Sequence, residues 1–294
     1  MFNLRSLRIL VTGASSGVGL ALARRLVNTP HRVVLTARAE SLGRFAAAGI
    51  HESECLMIRA LDVSSDEQRR FVVDEMNARW GAVDVLINNA GVAYRAVVEH
   101  VTEQDRLIQM DVNFRSPMEL TRLVLPRMRE QRFGRIMNVS SVGGMMAMPT
   151  MAVYSASKFA LEGASEALWY EVRPWNVRVS LIQPGFIRSD GFEKVRFTPL
   201  SRASQGDSPD PYSNHYRFME RFIASLMGRA LATPDSVART VLRQMSRRRP
   251  PLRVPATLDA RLFSMLRRLL PRRLYHWVLY RSLPGIGRWG SDAP

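Results

Sequence analysis

The amino-acid sequence predicts an α/β fold built on a doubly wound parallel sheet. Three observations predict it. Six short aliphatic runs alternate with helical stretches over residues 7–183, and strands separated by helices form βαβ units, hence a parallel sheet. The runs are apolar throughout instead of alternating, as a sheet covered on both faces requires. A glycine-rich turn also follows the first run and opens the first helix.

In chain order the runs are Leu7–Val11, Arg32–Thr36, Leu56–Leu61, Val83–Ile87, Arg135–Val139 and Val177–Ile182. Helical stretches are expected at 17–29, 40–48, 65–80, 103–130 and 152–173, from their apolar periodicity. Residues 184–215 carry four prolines and three glycines. Such a long excursion is usually either functional or disordered. Helices at about 216–229 and 234–246 follow, and Pro250–Pro255 is read as a last short strand. Thr257 is a plausible N-cap for a helical tail broken at Pro271 and Pro284. We therefore divide the chain into a domain over 1–255, with an insertion at about 186–230, and an amphipathic basic extension over 256–294.

Length and composition exclude several classes. The 294 residues allow a sizeable core. A lone cysteine, Cys55, excludes an intramolecular disulfide and a cysteine-rich zinc site. Five histidines without ligand spacing give no reason to expect a metal. The longest uncharged stretch, Ile136–Ser157, contains Asn138, Pro149 and two glycines, so it is not a spanning helix. The expected location is the cytoplasm. Residues 243–294 hold 12 Arg and 2 Asp, a net of +10 out of +16 for the whole chain. With 40 Arg against 2 Lys, a GC-rich coding sequence accounts for the preference for arginine, but not for its clustering.

Specific residues carry the chemistry. The turn Thr12-Gly13-Ala14-Ser15-Ser16-Gly17-Val18-Gly19 stands where a tight turn brings backbone N–H groups to a pyrophosphate. Tyr154 and Lys158 are four residues apart and share one helix face. A tyrosine titrates near 10, too high for a proton carrier near neutrality. A fixed cation beside it is expected to lower that value. One of the chain's two lysines stands in that position. Ser141 ends a strand 13 residues before Tyr154, at the carboxyl edge where open α/β sheets bind ligands.

These motifs, with Asn88-Asn89-Ala90-Gly91, Asn113, Ser140-Ser141 and Pro184-Gly185-Phe186-Ile187-Arg188-Ser189, resemble the short-chain dehydrogenase/reductase family. The spacing T-G-x-x-x-G-x-G and the Y-x-x-x-K pair are in register over about residues 5–250. The resemblance implies a Rossmann-type fold and a catalytic set of Asn113, Ser141, Tyr154 and Lys158. It prefers Ser141 to Ser140 as the substrate-holding hydroxyl, and gives Asn113 the role of orienting a water that relays protons from Lys158. It also implies a nicotinamide dinucleotide held by Gly13, Ser15, Ser16, Gly17, Val18, Gly19, Asp62, Val63, Asn89, Ala90, Gly91, Tyr154, Lys158, Pro184, Gly185, Ile187 and Ser189. A homodimer or homotetramer is implied as well. Arg115 departs from the small residue that relatives carry two positions after Asn113.

The second run ends Thr36-Ala37-Arg38 with no acid before Glu40. NAD enzymes usually place an acid there, whereas an arginine accommodates the 2′-phosphate of NADP. We therefore expect NADP(H), with Arg38 as its selector or else an ordinary surface arginine. Ser141–Gly144 and Tyr154–Gly163 resemble the 17β-hydroxysteroid and retinol dehydrogenase branch, which handles lipophilic alcohols and ketones. Phe192, Phe197, Tyr212, Tyr216, Phe218, Met219, Phe222 and Met227 are candidates to line the insertion, or to pack in the core. In the tail, Leu258, Leu262, Met265, Leu266, Leu269 and Leu270 form one stripe, followed by Leu274, Trp277, Val278 and Leu283. Arginines beside such a stripe suit an anionic membrane surface, here on its inner face. Packing over the substrate cleft or a partner subunit is the other reading. No nucleic-acid module is visible. An NADPH-binding scaffold or sensor at a membrane is the alternative to an enzyme, and the intact proton relay argues against it.

Overall fold

Seven parallel strands form one sheet in the computed structural model, in the order β3-β2-β1-β4-β5-β6-β7. The structure describes residues 6–188, 195–205 and 208–290. The strands are β1 (Arg8–Val11), β2 (Arg32–Ala37), β3 (Leu56–Ala60), β4 (Val85–Asn88), β5 (Gly134–Val139), β6 (Val177–Gln183) and β7 (Arg253–Pro255). The helices are α1 (Gly17–Leu26), α2 (Gly43–Ala47), α3 (Asp66–Trp80), α4 (Glu103–Met110), α5 (Ser116–Glu130), α6 (Ala152–Val172), α7 (Pro199–Ala203), α8 (Ser213–Gly228), α9 (Pro234–Met245), α10 (Leu258–Leu269) and α11 (Arg272–Arg281).

The apolar strands are buried on both faces, and two clusters fill the layers. On one side Ile9, Leu22, Leu35, Ile87 and Val241 pack together, bringing α1 and α9 against the sheet. On the other, Leu10, Val72, Leu86, Val124 and Leu168 join α3, α5 and α6 to it. Strand order reverses between β1 and β4, which pair as Ile9↔Val85 through Val11↔Ile87. That switch point opens a crevice at the carboxyl ends of the strands.

Four expectations are corrected. The single helix expected over 103–130 is divided by a π turn at Asp111–Arg115 that contains Asn113. The stretch 40–48 is a 3-10 turn and the short α2. The insertion contains α7, which the prolines of the excursion concealed: Pro199 sits in the first helical turn, where its missing N–H costs nothing. The last strand, β7, is shorter than the run Pro250–Pro255 and pairs with β6 through Leu181↔Arg253.

Candidate active site

The glycine turn forms as the sequence requires. Gly13 and Gly17 both have positive φ, +63° and +53°. A Cβ on Gly13 would lie 2.8 Å from Ala90 Cα, and one on Gly19 would lie 2.1 Å from the Gly13 carbonyl oxygen. The turn is clamped from β4. Asn89 Nδ2 donates to the carbonyls of Thr12 and Gly13 at 3.0 and 2.9 Å. Thr12 Oγ1 accepts from the N–H groups of Asn89 and Ala90 at 3.0 and 3.1 Å.

This cradle opens into a cleft of about 700 Å³. It is lined by Gly13, Ser15, Ser16, Gly17, Val18, Arg38, Asp62, Val63, Asn89, Ala90, Gly91, Tyr154 and Lys158. Gly19 stands behind the turn as a packing position. The close contacts that a Cβ on Gly13 or Gly19 would make, the helix N-terminus behind the turn and the volume of the cleft fit a dinucleotide. Arg38 is half exposed and pairs with Glu40 at 3.1 Å. Asp62 accepts from Ser64 N–H and Oγ at 2.9 and 2.6 Å, and these bonds help hold its carboxyl below the usual range although burial opposes them. Ser41 and Arg44 also line the cleft, and the sequence reading missed both. Neither belongs to a motif, and only the fold of the 3-10 turn and α2 places them there.

Helix α6 carries Tyr154, Lys158 and Glu162 at successive turns of one face. Lys158 is buried and its Nζ donates to the Val139 carbonyl at 3.0 Å. Burial lowers its pKa to about 8, opposed by the charge of Glu162. Tyr154 differs from the expectation. Burial pushes the phenol above its ordinary value, and the Ser141 hydroxyl only partly offsets this. Lys158 does not reverse the shift because its Nζ lies 6.0 Å from the ring centroid and is turned to a strand carbonyl.

Ser141 Oγ accepts from Gly143 N–H at 3.0 Å. A Cβ on Gly143 would lie 3.0 Å from Tyr154 Cε1, so glycine lets the phenol approach this turn. Ser140 instead donates to Glu162 at 2.8 Å, and Gln183 donates to the same oxygen at 2.7 Å. Glu162, which the sequence reading missed, was signalled by its i, i+4, i+8 spacing with Lys158 and Tyr154. Asn113 is fully buried. Its amide donates to Val92 O at 2.8 Å and to Ser157 Oγ at 3.0 Å, and its Oδ1 accepts from Val92 N–H at 2.9 Å. A Cβ built on Gly91 would lie 3.3 Å from Asn113 Oδ1 and 3.7 Å from Lys158 Nζ, so both atoms border one point of the cleft. Arg115 is exposed and pairs with Asp111 in the same π turn.

A second, mostly apolar pocket of about 260 Å³ adjoins the cleft. Its lining includes Ser141, Val142, Met148, Met151, Tyr154, Gly185, Phe186, Ile187, Ile223, Met227 and Arg95. Of the lid candidates, Met227 lines it. Met219 and Tyr216 are buried in packing, and the Tyr216 hydroxyl accepts from Val97 N–H at 2.9 Å. Met148 and Met151 were not foreseen, because they lie in a loop without periodicity. Pro184 leads into the Gly185–Ile187 wall, while Ser189 and Phe192 lie outside the described residues.

The tail reaches this wall. Gly185 N–H donates to Thr257 Oγ1 at 2.9 Å, and Phe186 N–H to Asp259 Oδ2 at 2.7 Å. Phe263 and Leu279 pack on Val142, Met145 and Met146. Of the predicted stripe, Leu258, Leu262, Met265 and Leu269 are each more than half exposed, while Leu266 and Leu270 are partly buried.

Residues 8–199 match the short chain dehydrogenase family. The chain belongs to this family. It is 33% identical over 274 residues to the 3-ketodihydrosphingosine reductase of Bacteroides thetaiotaomicron, covering 92% of this chain and 96% of that one. It is 35% identical over 257 residues to human retinol dehydrogenase 8, with coverage of 83% and 79%. A solved short-chain dehydrogenase from Streptomyces avermitilis superposes with a TM-score of 0.77 at 31% identity, covering 94% of this chain and 98% of that one. A metagenomic short-chain oxidoreductase in complex with NADP does so with 0.64 at 27%, covering 86% and 97%. This short-chain dehydrogenase is thus a member of an oxidoreductase family that uses nicotinamide dinucleotides.

Proposed function

We propose that the protein is an NADP(H)-dependent oxidoreductase that interconverts a lipophilic alcohol and its ketone or aldehyde. The observation that carries this reading is that Tyr154 lines both the polar cleft and the apolar pocket, so a carbonyl reaching it from the pocket meets a cofactor reaching it from the cleft. The glycine turn would hold the pyrophosphate, Asp62 and Val63 would border the adenine, and Arg38 with Arg44 would meet the 2′-phosphate. Asn89–Gly91 and Lys158 would hold the ribose side, and Pro184, Gly185 and Ile187, with Ser189 as the motif implies, the nicotinamide. When bound, NADPH supplies the hydride for the carbonyl carbon.

Ser141 donates a hydrogen bond to the substrate oxygen and fixes it beside the phenol. Tyr154 donates its proton to that oxygen during reduction and accepts it during oxidation. A raised phenol pKa keeps the proton in place for reduction at neutral pH, whereas oxidation requires that this proton first be lost. Lys158 and Asn113 border the point through which the proton is replaced. The apolar lining at Val142, Met148, Met151, Ile223 and Met227 selects lipophilic substrates, in line with relatives named for retinol and 3-ketodihydrosphingosine.

The exposed leucines of α10, with Trp277 and the flanking arginines, support a peripheral place on an anionic membrane. The groove between α5 and α6, lined by Met118, Leu125, Leu168 and Trp175, supports self-association as a homodimer or homotetramer. The deciding experiment is a panel of steroids, retinoids and long-chain ketones assayed with NADPH and with NADH. Turnover of at least one lipophilic carbonyl, faster with NADPH, is expected. No turnover, or a preference for NADH, removes the reading.

A further inference from the structure

A basic pocket lies at the end of the sheet opposite the cofactor cleft. Arg135 and Arg178 open β5 and β6 and are register partners. Like charges on directly paired strand positions destabilise a sheet. Arg248 and Arg249, which follow α9, complete the lining with Phe133 and Asn176 around about 190 Å³. Strand β6 has seven residues, so roughly 20 Å separates this pocket from the catalytic end.

Arg135 is built into the fold and Arg178 is half-buried. Arg135 is 5% exposed and lies 5.2 Å from the Phe133 ring centroid. It donates from Nη1 to Gly134 O at 3.3 Å and from Nη2 to Arg247 O at 3.2 Å. Arg178 donates from Nη2 to Asn176 Oδ1 at 3.1 Å. Among the described residues, the buried Nε atoms of Arg135 and Arg178 have no hydrogen-bond partner, and no carboxylate lines the pocket. Burial and the charge of Arg178 bring the Arg135 pKa to about 10, and burial with Arg173 and Arg249 lowers that of Arg178. Both nevertheless remain cations at neutral pH, so the repulsion is permanent.

An arginine-rich chain places most guanidiniums in water. A cross-strand pair with buried, unmatched donors is different, because it concentrates positive charge where an anion with several acceptors satisfies it. Guanidinium forks match phosphate oxygens in pairs. The volume is below the roughly 300 Å³ at which pockets for drug-sized ligands begin. We propose that this pocket binds a phosphate or diphosphate group, carried by a free anion or by a lipid headgroup.

The test uses the full chain saturated with NADPH, so that the phosphate positions of the cofactor cleft are occupied. Inorganic pyrophosphate is titrated calorimetrically, and phosphatidylcholine vesicles with and without phosphatidic acid are tested by co-sedimentation. Pyrophosphate binding to wild type that weakens at least tenfold in Arg178→Gln/Arg249→Gln, with turnover unchanged, supports a free anion. A loss confined to phosphatidic-acid vesicles supports a headgroup. With no anion present, Arg178→Gln is expected to melt at or above the wild-type temperature, because repulsion is removed. If it melts below, Arg249→Gln alone, at an exposed position, carries the same binding comparison. Equal pyrophosphate and vesicle binding by wild type and variant overturns the proposal.

Discussion

Lys158 is buried beside Tyr154, and its pKa near 8 makes it a proton acceptor within the working range. Its folded value lies below the ordinary 10.5, so between about pH 8 and 10.5 the folded chain binds fewer protons than the unfolded one. This group therefore makes stability rise with pH through that window. A polyanionic cofactor favours the ammonium, so NADPH binding at pH 8.5 is expected to take up protons. Calorimetry in buffers of different ionisation enthalpy measures the uptake, which Lys158→Met should abolish; equal uptake by both proteins contradicts the assignment. Tyr154→Phe should lower turnover at least tenfold, about 1.4 kcal/mol of barrier, with NADPH binding intact. Retention of more than a tenth of the wild-type rate would show that the phenol is not the proton carrier.

The first helix and the tail helix act as elements that shape the site. Gly17→Ala meets no atom within 4 Å but keeps a positive φ, so it should cost about 1 kcal/mol. Gly19→Ala drives a Cβ into the Gly13 carbonyl. It should cost about 1–3 kcal/mol by overpacking and weaken NADPH binding at least tenfold. Denaturant unfolding and fluorescence titration of the two variants compare strain with collision. Helix α10 works through its first turn. Asp259→Ala removes the acceptor for Phe186 N–H, a charged hydrogen bond of about 1.5–3 kcal/mol. A fall of roughly tenfold in kcat/KM is expected, because Phe186 and Ile187 wall the substrate pocket. Unchanged kinetics would mean that the wall holds without its cap.

Over the whole molecule, charge and apolar surface are distributed so that one helix pair faces two ways. Phe263, Tyr275 and Leu279 turn inward, while Leu258, Leu262, Met265, Leu269 and Trp277 are each more than half exposed. Among the described residues no helix is long and apolar enough to cross a membrane. A surface association driven by both arginines and leucines is expected, with basic residues contributing about 1 kcal/mol each near an anionic surface. The protein should sediment with anionic vesicles, and salt should weaken this without abolishing it, since apolar burial is not screened. Truncation after Pro255 should release the protein and also lower its melting temperature, because Val142, Met145 and Met146 lose their cover. A full-length protein that stays in the supernatant with anionic vesicles at low salt would end the membrane reading.

Much of the architecture was determined by local pattern. Doubly buried strands must be apolar throughout, and a positive φ beside a close backbone contact admits only glycine, so the sheet, the Gly13–Gly19 turn and the Tyr154/Lys158 pair could be read directly. These features depend on neighbours a few residues apart. Other features depend on what long-range packing brings together. The π turn at Asn113 arises where two helical segments meet the Val92 backbone. The exposure of most of the tail stripe follows from Phe263, not a member of it, finding the Val142–Met146 loop, more than 100 residues away. The raised phenol of Tyr154 reflects burial, which spacing along a helix does not reveal. The Arg135–Arg178 pair exists only because β5 and β6 are neighbours in that register. Periodicity specifies which face of an element is apolar, and only the tertiary fold decides what each face meets and how much water remains there.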